Sequence, residues 1–326
     1  MKKLSLAAAV GAVLSMAASV NASAAATLTP GALAAGFQLS TFISSTPAFS
    51  GGPGPMGIVN TTGGKILISN FNSGQVKSFS DTDNQAWSNG TTGGSYGTYA
   101  AGLASVGGNI YLAQQSSGLV RELNADGSFN QNIVTHSGAT SLAGDAANGH
   151  LFLSASGGIY DVDPVAKTIS QFNNSAADGL TLTPDGSTLY AAVGGHVLGF
   201  DTGTKAQVFD SGSVPGVDGT VLGSGSLAGY LFANTNGGSL VEINLSTLAQ
   251  TVIFSGGTRG DFVSVDTSNG SLLVTQADSV LRLYAPAGGG FGGTDLPEPG
   301  SLALLTAGFA GLACARRTRK TSGDAV

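Results

Sequence analysis

The sequence predicts an all-β fold, a six-bladed β-propeller, and three observations lead there. A unit of four short apolar runs recurs at intervals of about 40 residues, the spacing of one four-stranded propeller blade. Gly supplies 51 of 326 residues, charged residues make up 10% and hydrophobic residues 42%. That composition fits tight turns between short strands, whereas disorder needs high charge and low hydrophobicity. One strand-like run is left over near the start of the repeats and one strand is missing at their end, so the two can complete each other.

The clearest copy of the unit runs from Ala177 to Phe209. Leu180-Thr181-Leu182 leads through Thr183-Pro184-Asp185-Gly186 into Leu189-Tyr190-Ala191. A Gly-Gly turn then precedes Val197-Leu198-Gly199-Phe200, and Gln207-Val208-Phe209 follows. These read as strands A to D. The B strands Ile66–Ile68, Ile110–Leu112, Leu151–Leu153, Leu189–Ala191, Tyr230–Phe232 and Leu272–Val274 are almost continuously apolar, as strands buried on both faces should be. The C strands, such as Leu119-Val120-Arg121-Glu122-Leu123 and Val280-Leu281-Arg282-Leu283, mix polar residues in.

Six units result, and the sixth stops after its C strand at Tyr284-Ala285-Pro286. The orphan run is Phe37 to Ile43, alternating like a half-buried strand. Paired as the outer strand of the last blade, it closes the ring and covers an exposed edge. A β-helix or a sandwich is the alternative architecture.

The two ends differ from this middle. Met1-Lys2-Lys3, an uncharged run from Leu4 to Val20 and Ala22-Ser23-Ala24 have the order of a signal peptide with its cleavage site. The expected domain layout is a signal peptide over 1–24, the propeller over 25–286, a Gly-rich linker over 287–295 and a C-terminal apolar helix over 296–326. The middle carries few basic residues and no basic stripe, which argues against nucleic acid as a partner. The only cysteine, Cys314, lies in the C-terminal segment, so the domain must be held by packing and strand pairing rather than by disulfides.

The repeat resembles the broad six-bladed propeller group of NHL-repeat, gluconolactonase-like and virginiamycin-lyase-like proteins. The residues that carry the resemblance are Leu180 to Gly186 and looser copies such as Val263 to Gly270. It spans roughly residues 36–286 and bears on architecture, because this fold hosts many functions.

Asp178, Asp218 and Asp261 occupy matching positions at the starts of the inner strands of blades four, five and six. Such positions face one mouth of a propeller's central channel. Three converging carboxylates repel one another unless protonated or bridged by a cation, and hard oxygen donors suit Ca²⁺. Gly57, Gly102 and Ser141 mark the matching places in blades one to three. The plainer reading is that these Asp residues cap turns. Gluconolactonase-like enzymes set Glu and Asn beside Asp around such a metal, and Glu122 and Glu242 lie within C strands instead. The lyase-like group uses a His near a metal; His136 precedes the third A strand, while His150 and His196 fall at hairpin edges.

Trp87, Tyr96 and Tyr99 cluster in the longest stretch between blades, Ser80 to Ala100. Exposed aromatics there could stack on sugar rings, or Trp87 could fill the core of blade one. Gly93 to Gly97 matches a nucleophile elbow and Gly52 to Gly57 a phosphate-binding loop, but neither is followed by the helix that its chemistry needs.

At the C-terminal end come Pro297-Glu298-Pro299, an uncharged stretch from Gly300 to Ala315 and the cluster Arg316-Arg317-Thr318-Arg319-Lys320. The apolar stretch is short for a membrane span, and its basic flank should stay cytoplasmic, leaving the folded domain outside. The order closely resembles the PEP-CTERM sorting signal of Gram-negative bacteria. That resemblance implies transient residence in the inner membrane and processing by an exosortase-type peptidase. It further implies association with exopolysaccharide, biofilm or the outer surface. The leading expectation is therefore a non-catalytic binding or matrix protein whose partners are polysaccharide or envelope proteins. The competing expectation is a metal-dependent lactonase or lyase working at the central channel.

Overall fold

The computed structural model describes residues 25–292. Six sheets stand side by side around an axis, each with a four-stranded antiparallel blade; Ile43–Ser44 of the sixth adds one short parallel pair with Gln85–Ala86. The innermost A strands are Pro55–Asn60, Ala100–Val106, Leu142–Asp145, Ala177–Leu182, Val217–Gly225 and Val263–Asp266. B and C strands follow in hairpin register, for example Leu189 opposite Phe200 and Leu231 opposite Ile243. The B strands are the driest, with Leu67, Leu112, Leu153, Leu189, Leu231 and Leu272 fully buried.

The core lies between blades rather than inside any one of them. Ala143, Phe152, Ile159 and Phe172 of blade three pack against Leu180, Leu189 and Phe200 of blade four. Phe42, Ile43, Leu273 and Val280 of blade six pack in the same way against Ile58, Ile66, Ile68 and Phe79 of blade one. No blade can bury both faces alone, so the stable unit is the closed ring.

The N-terminal run closes it as the sequence predicts. Gln38–Ser44 pairs antiparallel with the C strand of blade six, Leu39 opposite Leu283 and Thr41 opposite Leu281. A short helix, Pro30–Ala35, leads into this strand. Thr29 caps it, Pro30 sets its first turn and Gly36 ends it in the left-handed region at φ 100°.

Both ends of the described chain add to blade five, and the sequence gives no sign of this. Thr27–Leu28 pairs outside the D strand, Thr27 opposite Ser255. Gly289–Phe291 pairs with the far end of the A strand, Gly223 opposite Phe291. Phe291 is 1% exposed and meets Phe232 edge-on at 5.0 Å. The stretch from residue 287 through Gly292, expected to be linker, therefore belongs to the fold. The segment Thr91–Ser95 is likewise the D strand of blade one rather than a loop. Pro297, Glu298, Pro299, Arg316, Arg317 and Arg319, with the expected signal peptide and sorting helix, lie outside the described residues. Among the described residues, no helix is long and apolar enough to cross a membrane.

Candidate functional site

The A strands approach the axis so closely that the channel almost shuts. Gly57, Gly102, Ser141, Gly179, Gly219 and Phe262, with the residue after each, line a cavity of about 30 Å³, room for one water. A Cβ on Gly179 would overlap the carbonyl oxygen of Asp218 in the next blade. We expect Gly179→Ala to cost about 1–3 kcal/mol by overpacking, measurable as a lower urea midpoint. A midpoint equal to wild type would mean that the ring is looser than this geometry.

The ring also corrects the alignment of the blades. Gly179 and Gly219 match Gly57 and Gly102, so the residues that correspond to Asp178, Asp218 and Asp261 are Met56, Ala101 and Thr140. The same bulge fixes the match in four inner strands, where the pairing jumps from Pro55 to Ile58, Ala100 to Leu103, Ala177 to Leu180 and Val217 to Thr220. Just outside the ring, one half of the mouth is thus acidic. The other half is apolar, with Met56, Ala101, Phe262 and Phe71 in contact. Phe71 stacks on Tyr99 at 4.6 Å, and Phe49 lies 6.4 Å from Tyr99. Tyr99 and Phe49 are exposed.

The three acids are not equivalent. Asp178 stands exposed at the rim, whereas Asp218 and Asp261 are buried at 4% and 0% exposure. Arg259 donates from Nε and Nη2 to one oxygen, Asp261 Oδ1, at 3.0 and 2.8 Å. Its Nη2 lies 3.8 Å from Asp218 Oδ2. The other oxygens, Asp218 Oδ1 and Asp261 Oδ2, are buried without a hydrogen-bond partner. So are the amide oxygens Asn234 Oδ1 and Gln276 Oε1. The Asn234 amide nitrogen donates to the carbonyls of Asp261 and Thr275 at 3.2 and 3.0 Å, which ties blade five to blade six beneath the acids.

Burial pushes the pKa of Asp218 well above the usual carboxylate value, and the charges of Asp261 and Asp178 push the same way against Arg259. Burial also raises Asp261, with Arg259 opposing. The pair titrates as a unit, and a shared proton relieves its repulsion.

Hard, unpartnered oxygens are what Ca²⁺ seeks, but it takes six to eight of them. Here two buried carboxylates already face a guanidinium, and no group of three or more His, Cys, Asp or Glu among the described residues converges to hold a metal. With Arg259 in place the donors do not fit Ca²⁺.

The aromatic residues separate. Trp87 is buried at 6% exposure against Phe79, and Lys77 lies over its ring and donates to its carbonyl. Tyr96 is half-buried under Arg121, with its hydroxyl donating to Gly127 O at 2.7 Å. Burial pushes its pKa up to about 12. Only Tyr99 reaches the mouth. His136 packs on Tyr160 at 4.0 Å, and His150 and His196 pair with Asp161 and Asp210. Sequence reasoning missed Arg259, Asn234 and Gln276. The one available signal was an Arg two residues before Asp261, set among glycines.

Comparison with known proteins gives an address and an architecture. Residues 295–320 match the PEP-CTERM protein-sorting motif, which implies export to the cell envelope and processing by an exosortase. A gluconolactonase of Xanthomonas campestris, XC5397, has a similar structure, with TM-score 0.61 and 15% identity over 80% of this chain and 95% of that one. A streptogramin B lyase follows at TM-score 0.51 and 13% identity, over 76% of this chain and 98% of that one. At these identities the likeness is one of fold. No curated protein matches the chain in sequence. The protein is thus a six-bladed β-propeller that carries a PEP-CTERM sorting motif.

Proposed function

We propose that this is a non-catalytic binding protein of the outer surface or extracellular matrix, holding its ligand at the Asp178–Asp218–Asp261 mouth. Polysaccharide or envelope proteins are its partners. The observation that supports this best is the mouth itself. A channel of about 30 Å³ keeps any ligand at the surface, where an acidic half and an aromatic half stand side by side. Arg259 already engages Asp261 and stands beside Asp218, two of the carboxylates that a channel metal would need.

The second reading is a metal-dependent extracellular lactonase or lyase. It draws on the fold shared with the gluconolactonase and the lyase, and on Asp218, whose raised pKa suits a general acid. The experiment incubates the mature protein with cell-derived exopolysaccharide and, separately, with lactone substrates. We expect sedimentation with the polysaccharide, and lactone hydrolysis no faster with wild type than with Asp218→Asn. Metal-dependent hydrolysis that drops a hundredfold or more in Asp218→Asn would replace the binding reading with the enzymatic one.

A further inference from the structure

We propose that the Asp218–Asp261 pair is an exchangeable recognition site for an organic cation, a primary ammonium or guanidinium group, with Arg259 as its resident occupant. The inference rests on the mouth being the ligand site and names the chemistry that it takes.

The resident fits incompletely. Two buried carboxylates offer four oxygens, and the Arg259 guanidinium hydrogen-bonds only Asp261 Oδ1. Asp218 Oδ1 and Asp261 Oδ2 receive no hydrogen bond from it, so only the proton that the pair shares eases their burial, and an incoming cation would displace that proton. A planar guanidinium placed between the carboxylates could engage both in the bidentate manner that Arg259 does not reach.

The segment that carries Arg259 is short and rich in glycine. It runs from Gly256, in the left-handed region at φ 81°, through Gly257, Thr258 and Arg259 to Gly260. Its glycines leave room for the two unpartnered amide oxygens: a Cβ on Gly257 would overlap Gln276 Oε1, and one on Gly260 would overlap Asn234 Oδ1. Withdrawal of the Arg259 side chain alone would open both carboxylates to the mouth. The Arg259 side chain is already one-third exposed.

The rest of the mouth selects an organic cation over a metal ion. Asp178 at the rim adds a third negative charge, which attracts cations of any kind. Phe262 follows Asp261 in the chain and touches the apolar wall with Phe71, while Tyr99 stacks on Phe71. Aromatic faces favour alkylated or guanidinium cations through stacking and cation–π attraction. A hydrated Ca²⁺ gains nothing from them.

The test titrates agmatine, which carries both groups, and CaCl₂ separately into the mature wild type, Arg259→Ala and Asp218→Asn at fixed ionic strength and neutral pH. Binding is read by calorimetry and by the shift in Tm. Wild type should bind agmatine weakly but saturably, Arg259→Ala at least tenfold more tightly, and Asp218→Asn at least tenfold more weakly than wild type. Ca²⁺ should give no saturable signal with any of them.

Stoichiometric Ca²⁺ binding by Arg259→Ala without agmatine binding would overturn the proposal in favour of a metal site. Equal agmatine affinities for wild type and Asp218→Asn would also overturn it, and that comparison stands even if Arg259→Ala does not fold. Failure here leaves sedimentation with exopolysaccharide untouched. Loss of that sedimentation in wild type would instead sink the binding reading, whatever agmatine does.

Discussion

Replacing Asp218 by Asn raises the stability of the protein at neutral pH by roughly 1–3 kcal/mol, the usual cost of a buried polar oxygen without a partner, because the amide can donate to Asp261. Asp218 is 4% exposed, has an unpartnered Oδ1 and lies beside Asp261. Burial and that neighbour lift its pKa in the folded state well above the ordinary value. The sign follows from proton linkage. A carboxyl with a raised folded-state pKa binds more protons folded than unfolded, so its stabilising share is complete below the unfolded pKa. That share falls away as pH rises through the folded-state value. The gap between variant and wild type should therefore be widest at neutral pH and close near pH 4, about the ordinary Asp pKa. Urea unfolding at several pH values measures it. A gap independent of pH would show that Asp218 is not held protonated by its surroundings.

Arg282→Ala should act in the opposite direction, costing about 3–5 kcal/mol, the loss usual when one partner of a buried ion pair is removed. That is a large fraction of a typical total of about 5–15 kcal/mol. Arg282 is 3% exposed and pairs with Asp81. It also stands 3.2 Å from Asp83 and 3.1 Å from Asp266, with Phe42 under its guanidinium at 4.7 Å. Asp81 and Asp83 follow the C strand of blade one, whereas Arg282 and Asp266 belong to blade six, so this network crosses the seam where the ring closes. Burial pushes the Asp81 pKa up, but hydrogen bonds from Ser268 and Arg282 outweigh it and hold the pKa below the usual value. A depressed carboxylate stabilises above its unfolded pKa and loses that contribution as pH falls through the folded one. The deficit of the variant should therefore shrink on acidification. Thermal unfolding from neutral pH down to pH 3 checks both points, and a deficit below 1 kcal/mol at neutral pH would mean that the seam is held by its apolar cluster alone.

The fold was legible because its information is repeated. Six B strands carry the same dry pattern, and a missing outer strand at one end matched the spare run at Phe37 to Ile43 at the other. The additions to blade five were not legible: two or three residues such as Thr27–Leu28 and Gly289–Phe291 are too few to show a period. The acids of the mouth could be read from their matching positions, since a repeat puts equivalent residues at equivalent heights. Arg259 could not, because it acts across two blades and breaks the repeat. The same holds for Arg282, which looked like one polar residue in a C strand. Its partners Asp81 and Asp83 lie about 200 positions away in sequence, and burial, the property that matters, has no local signature.

The two ends of the described chain leave the ring on opposite sides. Ala25 lies beside Gly256, at the outer edge of blade five on the side where the chain turns in toward Arg259. Gly292, by contrast, bonds to Leu222 O beside Val265, past the narrow ring toward the far ends of the inner strands. A channel of about 30 Å³ cannot pass a polypeptide back through. The C-terminal end of the described chain therefore sits at the back of the propeller, and the acidic and aromatic mouth is left clear of it.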